Sequence, residues 1–138
     1  MRPHVICHMT SSIDGRALVP LWHPADAVPD GLWDSARARI ETDAAIMGSI
    51  TALEYTDGNS PYPQTADQVE RVDQLPEPEG GRYQVAIAPN GSVAWGRRDI
   101  DGDQIIVVVS ESTSDRYLAG LRSDGIYYMF AGVDEIDL

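Results

Sequence analysis

Few residues in this chain combine types and spacings that do chemistry. Near the start, His4, Cys7 and His8 bring three metal-ligand side chains close together in sequence. They flank or lie within Val5-Ile6-Cys7-His8-Met9, an apolar run of strand formers. On a strand, His4 and His8 share a face but stand about 13 Å apart, at roughly 3.3 Å per residue, while Cys7 points to the opposite side. That separation argues against a shared ion, and no metal site is expected. His8 reads either as a polar group beside a cleft at the strand's end or as a satisfied core histidine. Asp99-Ile100-Asp101-Gly102-Asp103 looks like a calcium loop, yet the apolar run Gln104–Val109 stands where the loop would place its bidentate Glu. An Asp-Gly turn before a strand accounts for it. No Ser-His-Asp arrangement, Walker loop or Gly-x-Gly-x-x-Gly fingerprint occurs.

A subtler signal lies where apolar runs end in small, hydroxylated segments. Met47-Gly48-Ser49-Ile50-Thr51 and Val109-Ser110-Glu111-Ser112 both do so, and the first apolar run ends in the turn that contains Asp14. In open α/β sheets, ligands sit where strand carboxyl ends meet helix amino ends, because free backbone N–H groups attract phosphate there. Gly48 would let a phosphate approach the backbone, with Ser49 and Thr51 donating hydroxyl hydrogen bonds. The alternative is that Gly48 is a close-packing turn and Thr51 a cap.

These residues need elements to hold them. Val5–Met9 reads as a strand that stops at Thr10-Ser11-Ser12-Ile13-Asp14-Gly15. Leu32, Ala36 and Ile40 repeat at helical spacing, with Trp33 beside them, and the pattern ends near Thr42-Asp43. Ala44–Gly48 is a short continuous apolar run, the signature of a strand buried on both faces. Ser49 to Tyr55 opens a helix. Residues 56–82, with Pro61, Pro63, Pro76 and Pro78, form a long loop, a lid or insertion or else a structural surface loop. Within it Thr65-Ala66-Asp67-Gln68 fits a capping box before a short helix bearing Val69, Val72 and Leu75. Tyr83–Ala88 is a strand, Pro89-Asn90-Gly91 a hairpin turn, and Ser92–Trp95 the returning strand. Gln104–Ser110 is the clearest strand. Ser114-Asp115 caps a helix over Arg116–Arg122 with Tyr117, Leu118 and Leu121 inward, and Ile126–Ala131 is the last strand. Strand, helix, strand with continuous apolar strands implies parallel pairing and an α/β class.

Composition narrows the partners. The 138 residues carry a formal net charge of −12, and all ten basic residues are Arg. Such a field repels nucleic acid and anionic membranes, so neither is expected as a partner. The Lys-free acidity fits salt adaptation or simply a well-solvated surface. One cysteine allows no intrachain disulfide and suits a reducing cytoplasm. No apolar run approaches the roughly 18–20 residues of a membrane span.

Taken in order, the segments resemble a known family. Arg2–Arg16, "RPHVICHMTSSIDGR", is similar to the opening of the pyrimidine reductases of riboflavin biosynthesis (the RibD C-terminal domain), which begin Arg-Pro, strand, Ser-Leu-Asp-Gly, basic residue. Asp43–Tyr55, "DAAIMGSITALEY", resembles their second signature and the Gly-Arg-x-Thr stretch of dihydrofolate reductases, which share the fold. Gly102–Glu111 and Tyr127–Leu138 fit the family's next strand–helix–strand. The resemblance implies a dihydrofolate-reductase-like α/β fold, a mostly parallel sheet with flanking helices, binding NADPH and passing hydride to a small heterocyclic or sugar-linked substrate. A pterin reductase and a non-catalytic nucleotide-binding or dimerisation homologue are the alternatives.

Position by position, the resemblance implies Thr10 at the nicotinamide, Gly48, Ser49 and Thr51 at the cofactor's phosphates, and Ser110 at its adenosine end. Asp14 and His8 are the expected catalytic groups, with Gly15, Arg16 and Trp22 against the substrate, Trp22 as a stacking surface. His8 stands where the family usually has Lys, and Ser49 where dihydrofolate reductases have Arg. The 2′-phosphate would then fall to Arg116 or the Arg97-Arg98 pair. Family members continue with a helix and a strand ending in Gly-Gly, so residues 1–138 are expected to be a truncated single domain. A homodimer partner or a complementary fragment would supply the rest.

Overall fold

The computed structural model describes residues 2–18, 20, 22, 24, 28–57, 62–63, 67–77, 81–88, 91 and 93–137. The chain divides into two compact units, Met1–Glu41 and Thr42–Leu138.

The second unit is an α/β layer built on a mostly parallel sheet. Its elements are β1 (Ala44–Gly48), α2 (Ser49–Ala52) running into a 3₁₀ turn (Leu53–Tyr55), β2 (Tyr83–Ile87), β3 (Asp99–Ile100), β4 (Asp103–Val109), α3 (Asp115–Asp124) and β5 (Tyr127–Phe130); α1 (Leu32–Arg37) belongs to the first unit. β1 pairs with β2, β2 with β4, and β4 with β5, all parallel. β3 folds back antiparallel on the start of β4. Ile106 faces both Val85 of β2 and Tyr127 of β5, so β4 is central and the parallel order is β1-β2-β4-β5. Strand order follows chain order without reversal. The described strands therefore contain no topological switch point, the crevice where doubly wound sheets take ligands.

The register sorts side chains onto two faces. Met47, Ala86, Val107 and Tyr128 lie in one row, with Gln84, Ile105 and Val109 on the same side. This face packs under α3 and forms the core with Trp95, Ile100, Tyr117, Leu118, Leu121 and Ile126. α3 folds as its sequence dictates. Ser114 Oγ accepts from Tyr117 N, and Gly125 closes the helix at a left-handed φ of 72°. Two further residues tie the layer together. Tyr62 OH donates to Asp124 Oδ2 at 2.9 Å and accepts from Trp95 N at 3.2 Å. Its ring lies so close to Gly120 that a Cβ there would collide with it. Arg71 donates to the carbonyls of Val69, Glu111 and Thr113 and to Asp115 Oδ1.

Several sequence expectations are corrected. Val5–Met9 forms no strand: residues 2–12 carry no helix or strand, and Val5, Ile6 and Met9 are exposed. The strand-face argument about His4, Cys7 and His8 loses its basis with it. β1 has the expected bounds but is not buried on both faces. It is an edge strand, and Ile46 is 68% exposed. α1 stops at Arg37, short of Ile40, and buries none of its residues. Of the short helix expected after Thr65, residues 67–77 carry no helix, and Gln74 bridges antiparallel to Tyr128; Thr65 and Ala66 lie outside the described residues. No hairpin follows β2, whose partners β1 and β4 are both parallel. Residues 93–95 form no strand, and Pro89, Asn90 and Ser92 lie outside the described residues. The hairpin sits instead at Asp101-Gly102, where φ values of 54° and 88° make the type I′ turn that joins β3 to β4.

Candidate functional site

The sequence-derived site residues fall in both units, and each group is described within its own. In the first, the turn expected around Asp14 forms. Gly15 N donates to Ser12 O at 2.9 Å, Ser12 N to Arg16 O at 2.9 Å, and Gly15 takes a φ of 82° that glycine tolerates. Asp14 is the hub of its side chains. Ser12 Oγ donates to Asp14 Oδ1 at 2.5 Å and Arg16 Nε to Asp14 Oδ2 at 2.9 Å. The Ser12 hydroxyl, with a smaller contribution from Arg16, holds the Asp14 carboxyl below the usual aspartate range. Asp14 is therefore a carboxylate at neutral pH, able to accept hydrogen bonds or face a cation, and unsuited to donate a proton. Arg16 is engaged with it, although both side chains are more than half exposed.

Trp22 is buried, and its indole N–H donates to Arg16 O at 2.8 Å. The ring pins the turn; it does not offer the open stacking surface expected of it. His8 is half-buried and stacks on Trp33, ring centroids 4.2 Å apart and planes 17° from parallel. Nothing in the spacing of these two residues signals that contact. Thr10 is half-buried in a segment without regular structure.

In the second unit, the carboxyl end of β1 is open. Gly48 has an ordinary extended backbone (φ −80°, ψ 166°), and a Cβ there would meet nothing within 4 Å. Neither conformation nor packing requires glycine at this position, which removes the close-packing alternative. Ser49 is half-buried; Thr51 is exposed and lies inside α2, so it caps nothing. The end of β4 is different. Ser110 is fully buried, its hydroxyl 2.8 Å from that of Ser112. Glu111 N and Ser112 N, the donors that would meet an anion, are bonded to the carbonyls of Gly132 and Val133. Ser114 spends its hydroxyl on its own helix. Among the proposed cations, Arg97 donates to Asp99 O, Tyr55 O and Asp57, and Arg98 stands 3.8 Å from Asp99.

The residues thus fit a phosphate-bearing cofactor unequally. Gly48, Ser49 and Thr51 leave backbone and hydroxyls accessible at the end of β1, whereas the end of β4 is closed by its own hydrogen bonds. Among the described residues no group of three His, Cys, Asp or Glu side chains is placed to hold a metal ion, and no helix is long and apolar enough to cross a membrane. In comparisons with known proteins, the chain matches no family model, no curated protein and no solved structure.

Proposed function

We propose that this protein is a pyridine-nucleotide-dependent reductase of the dihydrofolate-reductase-like fold, similar to the pyrimidine reductases of riboflavin biosynthesis, acting on a small heterocyclic or sugar-linked substrate. The observation that carries the reading is the open end of β1. There a glycine that its backbone does not require runs directly into Ser49 and Thr51, at the position where the resemblance expects cofactor phosphates. Gly48 would admit a phosphate oxygen to its backbone, and the two hydroxyls would donate to it. NADPH, when bound, would supply the hydride. In the same reading the ionised Asp14 orients substrate by accepting hydrogen bonds, His8 is the second polar group toward substrate, and Thr10 meets the nicotinamide.

Titration of the full chain with NADPH, followed by fluorescence or calorimetry, tests the proposal. Saturable binding is expected, and Thr51→Phe should weaken it while leaving thermal stability nearly unchanged, because the Thr51 side chain is exposed. An absence of binding up to millimolar cofactor by a folded protein overturns it. The closed end of β4 favours a second reading, a homologue that keeps the fold without catalysis. In that case NADPH would not bind, and Thr51→Phe would change neither binding nor stability.

A further inference from the structure

We propose that the outer edge of β1 is a self-association surface, pairing antiparallel with β1 of a second copy of this chain about a two-fold axis at Ile46. The hydrogen-bond pattern singles out the edge. Tyr83 N donates to Asp43 O at 3.0 Å with Ala44 opposite Tyr83. In a parallel ladder this turns residues 43, 45 and 47 toward β2 and leaves outward the N–H and C=O groups of Ala44 and Ile46 and the N–H of Gly48, whose C=O is the N-cap acceptor of α2. Among the described residues no strand takes them, and Ile46 and Gly48 are both exposed.

The sheet's opposite edge is already covered. Gln74 exchanges two backbone hydrogen bonds with Tyr128, each 2.9 Å, and Asp73 Oδ1 accepts from Phe130 N at 2.8 Å. With the β5 edge taken and β3 only two residues long, pairing along β1 stops at two copies, where a second long open edge would build a fibre. The sequence at the open edge also suits a copy of itself. Residues 44–52 carry no charge in a chain of net charge −12, so an acidic copy meets little repulsion here. The usual edge protections, an inward charge, a proline or a bulge, are missing from Ala44–Gly48. With the axis at Ile46, Ala44 faces Gly48 of the copy and Asp43 faces Ser49, so no like charges meet. The small residues on either side leave room for the two Ile46 side chains, whose Cα atoms would stand about 5.5 Å apart as a hydrogen-bonded pair. This inference does not rest on the proposed reductase activity; the pairing takes the Gly48 end of the strand, so it and phosphate binding there exclude each other.

Light scattering or sedimentation of the full chain should show a dimer in equilibrium with monomer. Ile46→Lys, which sets like charges across the axis, should raise the dissociation constant about tenfold or more and leave the circular dichroism of the monomer unchanged. Should that variant misfold, a second one decides. Ile46→Cys in a Cys7→Ser background should form a disulfide-linked dimer when oxidised by copper phenanthroline, whereas Ile50→Cys in the same background, exposed but off the axis, should not. A wild-type monomer up to millimolar concentration overturns the proposal. So does a dimer indifferent to Ile46→Lys, equal cross-linking at both cysteine positions, or open-ended assembly.

Discussion

Asp14 and Asp115 are both exposed enough to titrate freely, yet each is held as a carboxylate by what touches it. For Asp14 the Ser12 hydroxyl leads; for Asp115 the Arg71 guanidinium leads, followed by the Val69 N–H. The second has a thermodynamic consequence. Its folded-state pKa lies below the ordinary 3.8, so the folded state binds this proton more weakly than the unfolded state does. The resulting stabilisation is present above the unfolded value and lost as pH falls through the folded one. Urea unfolding at a series of acid pH values should show a shallower loss of stability in Asp115→Asn than in the wild type. Arg71→Ala should lower Tm by several degrees, because it leaves three carbonyls without their guanidinium donor and Asp115 with the Val69 N–H alone. Burial pushes the phenols of Tyr62 and Tyr117 well above the usual tyrosine range. In an alkaline absorbance titration these two should stay protonated while the fold persists, and the missing phenolate signal should appear on unfolding.

The sheet and α3 show how far a pattern read along the chain reaches. β4 is legible because β-branched residues run unbroken from Ile105 to Val109, and α3 because Ser114, the inward trio Tyr117, Leu118 and Leu121, and Gly125 agree with one another. Val5–Met9 has an equally apolar composition and forms no strand, since composition cannot say whether a neighbour is there to take the hydrogen bonds. Packing energetics should follow the observed faces, not apolarity. Ile105→Ala, in the core, should cost about 2–5 kcal/mol of unfolding free energy, whereas Ile46→Ala, on the exposed edge, should stay within about 0.5 kcal/mol in the monomer; chemical denaturation measures both. Where α3 meets Tyr62, Gly120→Ala should destabilise by about 1–3 kcal/mol through overpacking. The same change in a Tyr62→Ala background should cost much less, because the two residues share one space. Equal costs in both backgrounds would remove the proposed contact from the account.

At the scale of the whole molecule, every residue of the buried core cluster lies between Ala52 and Tyr128, inside the second unit. Among the described residues of the first unit, Trp22 is the one buried apolar side chain. A fragment spanning residues 42–138 should therefore keep a cooperative thermal unfolding transition and the circular dichroism of an α/β layer. A fragment that is unfolded on purification would show that the core as described is insufficient alone. The net charge of −12 acts at this scale too: moderate salt should raise Tm by screening self-repulsion.

Local chemistry was readable without coordinates wherever neighbouring residues settle the conformation. The Asp14 turn, the Asp101-Gly102 reversal, the Ser114 cap and the continuous strand β4 all follow from side chains a few positions apart. The strand ends were located the same way, Gly48 and Ser110 alike. Their different fates were not legible, because access depends on residues distant in the chain. Gly132 and Val133 occupy the donors after β4, while among the described residues no strand takes the outward groups of β1. Only the three-dimensional pairing of strands decides which backbone groups are spent on the fold and which remain for a ligand or a second chain.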